Sequence, residues 1–335
     1  MLRQACAIAV LGGLVIAARP ACAMDDESIQ GRFDKTLNVA SPADLTISTG
    51  SGSIDIQPGA NGQIRIVGEI RGHNNWNRRQ SSGDVAARVR DLEANPPIEQ
   101  EGNRVSVGRN RDDDRRMENI SISYHVTVPA GTSVVSSSGS GSQVIGSLAG
   151  PVRASSGSGS VTIGAIGGTV KAGTGSGSIS VDGAKERVEA STGSGRIQLR
   201  QIAGSAKASS GSGSIDLEQT AKGAVDLNTA SGTINVRGTN GPLTAGTASG
   251  TIRISGKPEA NWSLSSSSGS ISLDLPSGTP FTLDARTTSG GLDIDHPVTI
   301  GSVHGRHREI HGAVNGGGPM VSVETTSGSI RIAAR

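Results

Sequence analysis

The chain has 335 residues, 31 basic and 29 acidic, and only about 1% of its residues are aromatic. Balanced charge without basic–aromatic interleaving argues against nucleic acid as the main partner. So few rings also argue against the thick core of a sandwich or α/β enzyme, whereas 49 glycines suit a thin, repetitive interior.

In chain order, Arg3 precedes an apolar run from Ala5 to Ala18, and Ala21-Cys22-Ala23 follows the A-x-A cleavage pattern. The run is shorter than the roughly 20 apolar residues that span a bilayer. The expectation is a signal peptide over residues 1–23, a mature chain over 24–335 that does not span a membrane, and a periplasmic or secreted location. Arg19 stands three residues before Cys22, where a lipid-anchored precursor carries an apolar residue, so no lipid anchor is expected. Cys6 and Cys22 both fall in the signal, which leaves the mature chain without disulfide or thiol chemistry.

Leu45, Ile47, Gly52, Ile54 and Ile56 form a first coil of a repeat, followed by Ile64 and Ile66. A non-repeating excursion then runs over about 72–119. In it Val85, Val89 and Leu92 share one helical face, predicting a short amphipathic helix over Asp84–Glu93 that Asn95-Pro96-Pro97 ends. Val105 and Val107 predict a strand. Asp112-Asp113-Asp114 invites a calcium reading, but Arg109, Arg111, Arg115 and Arg116 flank it, and a solvated charged turn is expected. Ile120, Ile122, Tyr124, Val126 and Val128 alternate as a strand leading into the repeats.

The triplet Ser-Gly-Ser then recurs. Gly141, Gly159, Gly177, Gly195 and Gly213 lie 18 residues apart, and Gly232, Gly250, Gly269, Gly290 and Gly328 continue the series with small irregularities. Two and four residues after each glycine from Gly159 onward stand apolar side chains, such as Ile179 and Val181, Ile197 and Leu199, or Ile252 and Ile254, with polar residues between them. Seven and five before it stands a second pair, such as Val170 and Ala172, or Leu243 and Ala245. Both are short strands with one buried face. A fixed period near 20 predicts stacked coils. The fold expected is therefore all-β: a single-stranded β-solenoid, or β-helix, of about 18–19 residues per coil. Between the two strands lies the corner S/T-x-S-G, with Ser156, Thr174, Thr192 and Ser210 among its first residues. Glycine is expected there to supply a positive φ, and the hydroxyls to bond backbone left unpaired by the bend. The competing reading of the hydroxyls is an array facing ice or sugars.

Tyr124-His125-Val126-Thr127-Val128-Pro129, the Ser-Gly-Ser coils, and Asn315-Gly316-Gly317-Gly318 ahead of Thr326-Ser327-Gly328-Ser329-Ile330 carry a resemblance. Over most of residues 37–335 the chain resembles a bacterial family of β-strand-repeat domains of unknown function, described as adhesin-like. The resemblance implies an exported, right-handed β-helix and brings no catalytic residues.

The chemistry-bearing residues are sparse. His304, His307, Glu309 and His311 approach a zinc or copper set in composition, but their spacing matches no standard site and Arg306 and Arg308 interleave. Asp182, Asp216, Asp274 and Asp293 face outward on coils too scattered for the paired carboxylates of glycoside hydrolysis. No catalytic, cofactor-binding or metal-ligating residue is expected, and no cofactor. The functional expectation is a non-catalytic structural or adhesin-like surface in the cell envelope, meeting envelope glycan or protein through its repetitive face. The alternative is a carbohydrate-active β-helix enzyme, a polysaccharide lyase or hydrolase.

Overall fold

The computed structural model describes residues 29–73, 82–108, 117–304 and 308–335. The expected signal peptide and the Asp112–Asp114 turn lie outside these residues. Two long sheets face each other, with 14 and 15 strands among the described residues. Sheet A holds the strands that follow each repeat glycine, and sheet B those that precede it. Within the stack every strand pairs in parallel with its equivalent one coil away. Val161, Ile179, Ile197 and Ile215 therefore form one continuous interior column, and Val152, Val170, Val188 and Ala206 form the column opposite. This is the β-solenoid read from the period, built of two sheets.

Stacking is what buries the apolar positions. Ile179, Ile197, Ile215, Ile234 and Ile252 are all at most 1% exposed. Full burial of such a side chain stabilises by about 1.5–3 kcal/mol, and here it depends on the coils above and below. Small residues in sheet B, Ala154, Ala172, Ala190 and Ala208, let the two sheets approach near the corner. Where the column widens, Trp262 fills the space, and its Nε1 donates to the Gly241 carbonyl at 3.0 Å.

The corner corrects one expectation. None of the repeat glycines from Gly141 to Gly328 has a positive φ. Glycine is needed there for space. A Cβ on Gly195 would lie 1.9 Å from the carbonyl oxygen of Gly177, and one on Gly177 would lie 2.1 Å from that of Gly159. The hydroxyl column is likewise internal. Ser156, Thr174, Thr192 and Ser210 are buried. Each accepts from the N–H of its own corner glycine and donates to the carbonyl of the glycine one coil back. It is a structural ladder, and cannot present an array to a ligand.

Both ends depart from the repeat. At the first end Gln63–Gly72 lies between Ile29–Asn38 and Ile120–Val128, antiparallel to both, and the three strands extend sheet A. The helix Ser82–Ala94 packs on the first two, with Val85, Val89 and Leu92 buried beneath it. At the far end the order of coils differs from the order of sequence. Val321 sits between Trp262 and Leu283, so the last strands of the chain fill a place between two earlier coils. The residues between them form an antiparallel hairpin, Val298–His304 with Arg308–Val314, that extends sheet B beyond Phe281–Ser289.

Candidate binding surface

Because successive side chains on a strand point to opposite faces, the residues between the buried columns form two outer faces. On sheet B, parallel pairing aligns Ser155, Gly173, Ser191 and Ser209 in one row. Beside it runs a row of long or charged side chains: Arg153, Lys171, Glu189, Lys207 and Asp226. Neighbours are one strand spacing apart, about 4.8 Å. The small row is a shelf. A Cβ on Gly173 would find only Ser191 Oγ within 4 Å, at 3.6 Å. Shelf and charged row enclose a shallow open depression of about 310 Å³ that Val135 closes at one end; this valine is 42% exposed.

Charges along the shelf are partly paired. Lys171 Nζ lies 3.4 Å and Arg187 Nε 3.1 Å from the Glu189 carboxylate, and Lys207 Nζ lies 3.1 Å from Asp226. Arg153 is exposed and makes no ion pair among the described residues. All these groups are solvated, so their attractions are weak.

The outer face of sheet A carries the four carboxylates singled out from sequence, and each meets an arginine. Asp182 lies 3.5 Å from Arg200, Asp216 3.8 Å from Arg196, Asp274 2.9 Å from Arg335 and Asp293 3.6 Å from Arg331. Asn235 Nδ2 also donates to Asp216 at 2.7 Å. They are not gathered into a pair.

His304 ends its strand and His307 lies outside the described residues. His311 is exposed, opposite Asp284 in the pairing register. Glu309 Oε1 is held by Arg286 Nη2 at 2.7 Å, which keeps the Arg286 guanidinium above its ordinary pKa, first through this hydrogen bond. Among the described residues no three of His, Cys, Asp and Glu gather into a metal-sized group. A cavity of about 720 Å³ at the first end, lined by Arg71, His73, Met117, Ile120, Ile122 and Tyr124 among others, had no signal in the sequence. Its lining joins the corner of the first coil, Ser48 to Ser51, to the non-repeating strands, a junction that no period could have flagged.

A family model described as Toastrack DUF4097 matches residues 34–333. The chain belongs to this family. The resemblance carried by the Ser-Gly-Ser coils is thereby borne out. Three solved structures are similar in part. A candidate cell adhesion protein from Clostridium sporogenes is 11% identical, covering 91% of this chain and all of its own, with a TM-score of 0.20. A candidate lipid-binding protein from Parabacteroides distasonis is 11% identical, covering 70% of this chain and 94% of its own, with a TM-score of 0.36. A candidate adhesin from Bacteroides fragilis is 9% identical, covering 90% of this chain and 97% of its own, with a TM-score of 0.27. Identities and scores this low identify neither ligand nor activity for this Toastrack chain. No curated protein sequence matches it. No helix among the described residues is long and apolar enough to cross a membrane.

Proposed function

We propose that this Toastrack chain is an exported, non-catalytic solenoid whose sheet B outer face binds extended envelope polymers, glycan or protein. The observation that carries the reading is the in-register row Ser155, Gly173, Ser191 and Ser209 beside its charged row. An extended chain laid along the shelf meets a small residue beside a charged one at each coil, with hydroxyls at Ser155, Ser191 and Ser209 and charges of both signs, so many weak contacts replace a deep pocket. Export rests on residues 1–23 as a signal peptide. A non-catalytic role is supported by the arginine partner that each of the four singled-out carboxylates on sheet A has.

The test is capture of envelope glycans and proteins by immobilised protein, compared with a Gly173→Tyr, Ser191→Tyr double variant that blocks the shelf. Gly173 and Ser191 point outward, so the variant keeps the fold, checked by circular dichroism. Loss of capture supports the reading. Equal capture by both proteins, or release of new reducing ends from polysaccharide, overturns it.

A further inference from the structure

The far end of the solenoid is assembled out of sequence order, and this has a consequence for association. The strand Met320–Ser327 pairs in parallel with Trp262–Ser268 on one side and with Phe281–Ser289 on the other. Ile330–Ala334 likewise lies between Ile271–Leu275 and Leu292–Ile294. The last coil is thus a plug in a slot whose four edges are all made by residues earlier in the chain.

We propose that this plug is exchangeable, and that the partner surface it fits is the same slot in a second copy of this chain. Four observations carry the inference. First, the slot is defined without the plug. The chain steps over one coil between Leu275 and Phe281 through a strap, residues 276–280, instead of descending to the adjacent place. Second, the plug is held at its ends by side and main chain that travel with it or its hinge. Asn315 Nδ2 donates to the strap carbonyls of Ser277 and Thr279 at 2.9 and 3.0 Å, and the Ser277 N–H donates to the Arg335 carbonyl at 2.9 Å.

Third, the entry to the plug is a glycine-containing turn, at which we place the hinge. Asn315, Gly316 and Gly317 have φ values of 49°, 90° and 79°, three consecutive left-handed residues between the hairpin and the plug. Rotation there moves the plug and leaves the hairpin in place. Fourth, recognition is by the repeat template. Thr325 Oγ1 donates to the Gly269 carbonyl at 3.0 Å, and Thr287 Oγ1 donates to the Gly328 carbonyl at 3.1 Å. The slot reads the corner motif and the apolar pair Val321 and Val323, and another copy supplies the identical segment. In one chain the plug is favoured by its high effective concentration. At high protein concentration, after transient opening, exchange gives a reciprocal dimer, the usual outcome of domain swapping. Each slot of that dimer is completed by strand addition.

Disulfide trapping tests this. Ser263 and Ser322 face each other in register on the outer side of sheet B, within reach of a disulfide in adjacent strands. Cys6 and Cys22, the chain's two cysteines, are replaced by serine. A single Ser263→Cys variant is mixed with a single Ser322→Cys variant at high concentration, carried through partial unfolding in denaturant, returned to buffer and oxidised. The double variant in one chain is the control. The expected result is a covalent heterodimer whose linking peptide joins positions 263 and 322, with yield rising with concentration, while the double variant links within the monomer. Linkage in the double variant with none in the mixture overturns the exchange. Failure of the double variant to link overturns the slot arrangement on which it rests.

Discussion

Thr192 Oγ1 donates to the carbonyl of Gly177 at 2.9 Å, across the boundary between two coils, while accepting from the Gly195 N–H at 3.1 Å. One buried hydroxyl therefore closes its own corner and ties it to the corner below. The glycines make this possible, since only a residue without Cβ lets the two corners approach so closely. The Ser-Gly-Ser period is thus a contact between coils as much as a turn within one. Replacing Thr192 with valine keeps the volume and removes the hydroxyl. It leaves the Gly177 carbonyl and the Gly195 N–H without this partner, at a cost of about 1–3 kcal/mol. Thr192→Ser, which retains the hydroxyl, should fall well short of that. Chemical denaturation of the two variants checks it, and equal midpoints would remove the ladder's energetic role.

The glycine finding has its own test. Gly195→Ala should be strongly destabilising, because even a methyl would lie 1.9 Å from a backbone oxygen held on both sides. Gly102 has a φ of 60° and nothing within 4 Å of where a Cβ would be. Gly102→Ala therefore carries only conformational strain, of the order of 1–2 kcal/mol. Ser180→Val, on the outer face of sheet A, should change stability by less than about 0.5 kcal/mol. Melting temperatures should fall in the order Ser180→Val, Gly102→Ala, Gly195→Ala. If Gly102→Ala proves the worst of the three, close approach is not what the corner demands.

The strands were legible because burial acts on them with a period of two. Ile197 and Leu199 could occupy no other parity once Arg196, Gln198 and Arg200 had to face water. The role of the corner glycine was not legible, since a left-handed bend and a close approach both call for glycine and look alike in sequence. Nor was the order of the last coils. Leu283, Ala285 and Thr287 follow the same template as Val321, Val323 and Thr325, and a template shared by two segments cannot say which lies next to Trp262. The outer shelf is harder still. Ser155 and Ser191 face solvent, where many residues fit equally, so the sequence names the positions that are exposed and no ligand for them.

A metal is not expected to contribute to stability. Glu309, the carboxylate of the His304, His307 and His311 segment, is already held by Arg286 at 2.7 Å, and Arg306 and Arg308 would repel a cation approaching that segment. A strong chelator should leave the melting temperature unchanged, and elemental analysis of purified protein should find no stoichiometric zinc or copper. A drop of several degrees with chelator would assign a metal to this hairpin.

Coil number should be adjustable only in whole units. Deleting Gly177 to Ser194 removes 18 residues and joins Ser176 to Gly195. Ile197 then takes the place of Ile179 over Val161, and Ala206 that of Val188 over Val170. Every column continues, every corner glycine still meets another, and only one coil's burial is lost, as nearest-neighbour stability requires. Deleting only Gly177 to Lys185, nine residues, is different in an instructive way. Side-chain parity survives, because Val188 and Ala190 move into the places of Ile179 and Val181. What fails is the corner. Glu186 arrives where Gly177 stood, at a place where a Cβ would lie 2.1 Å from the Gly159 carbonyl, and all later strands exchange sheets, so the corner of Thr192 and Gly195 stacks on a turn instead of on another corner. The 18-residue deletion should give a β-rich protein, resistant to limited proteolysis and slightly less stable than the parent. The nine-residue deletion should aggregate or be degraded. Two deletions that fold equally well would mean that alternating polarity alone builds this solenoid and that the glycine–hydroxyl ladder is dispensable.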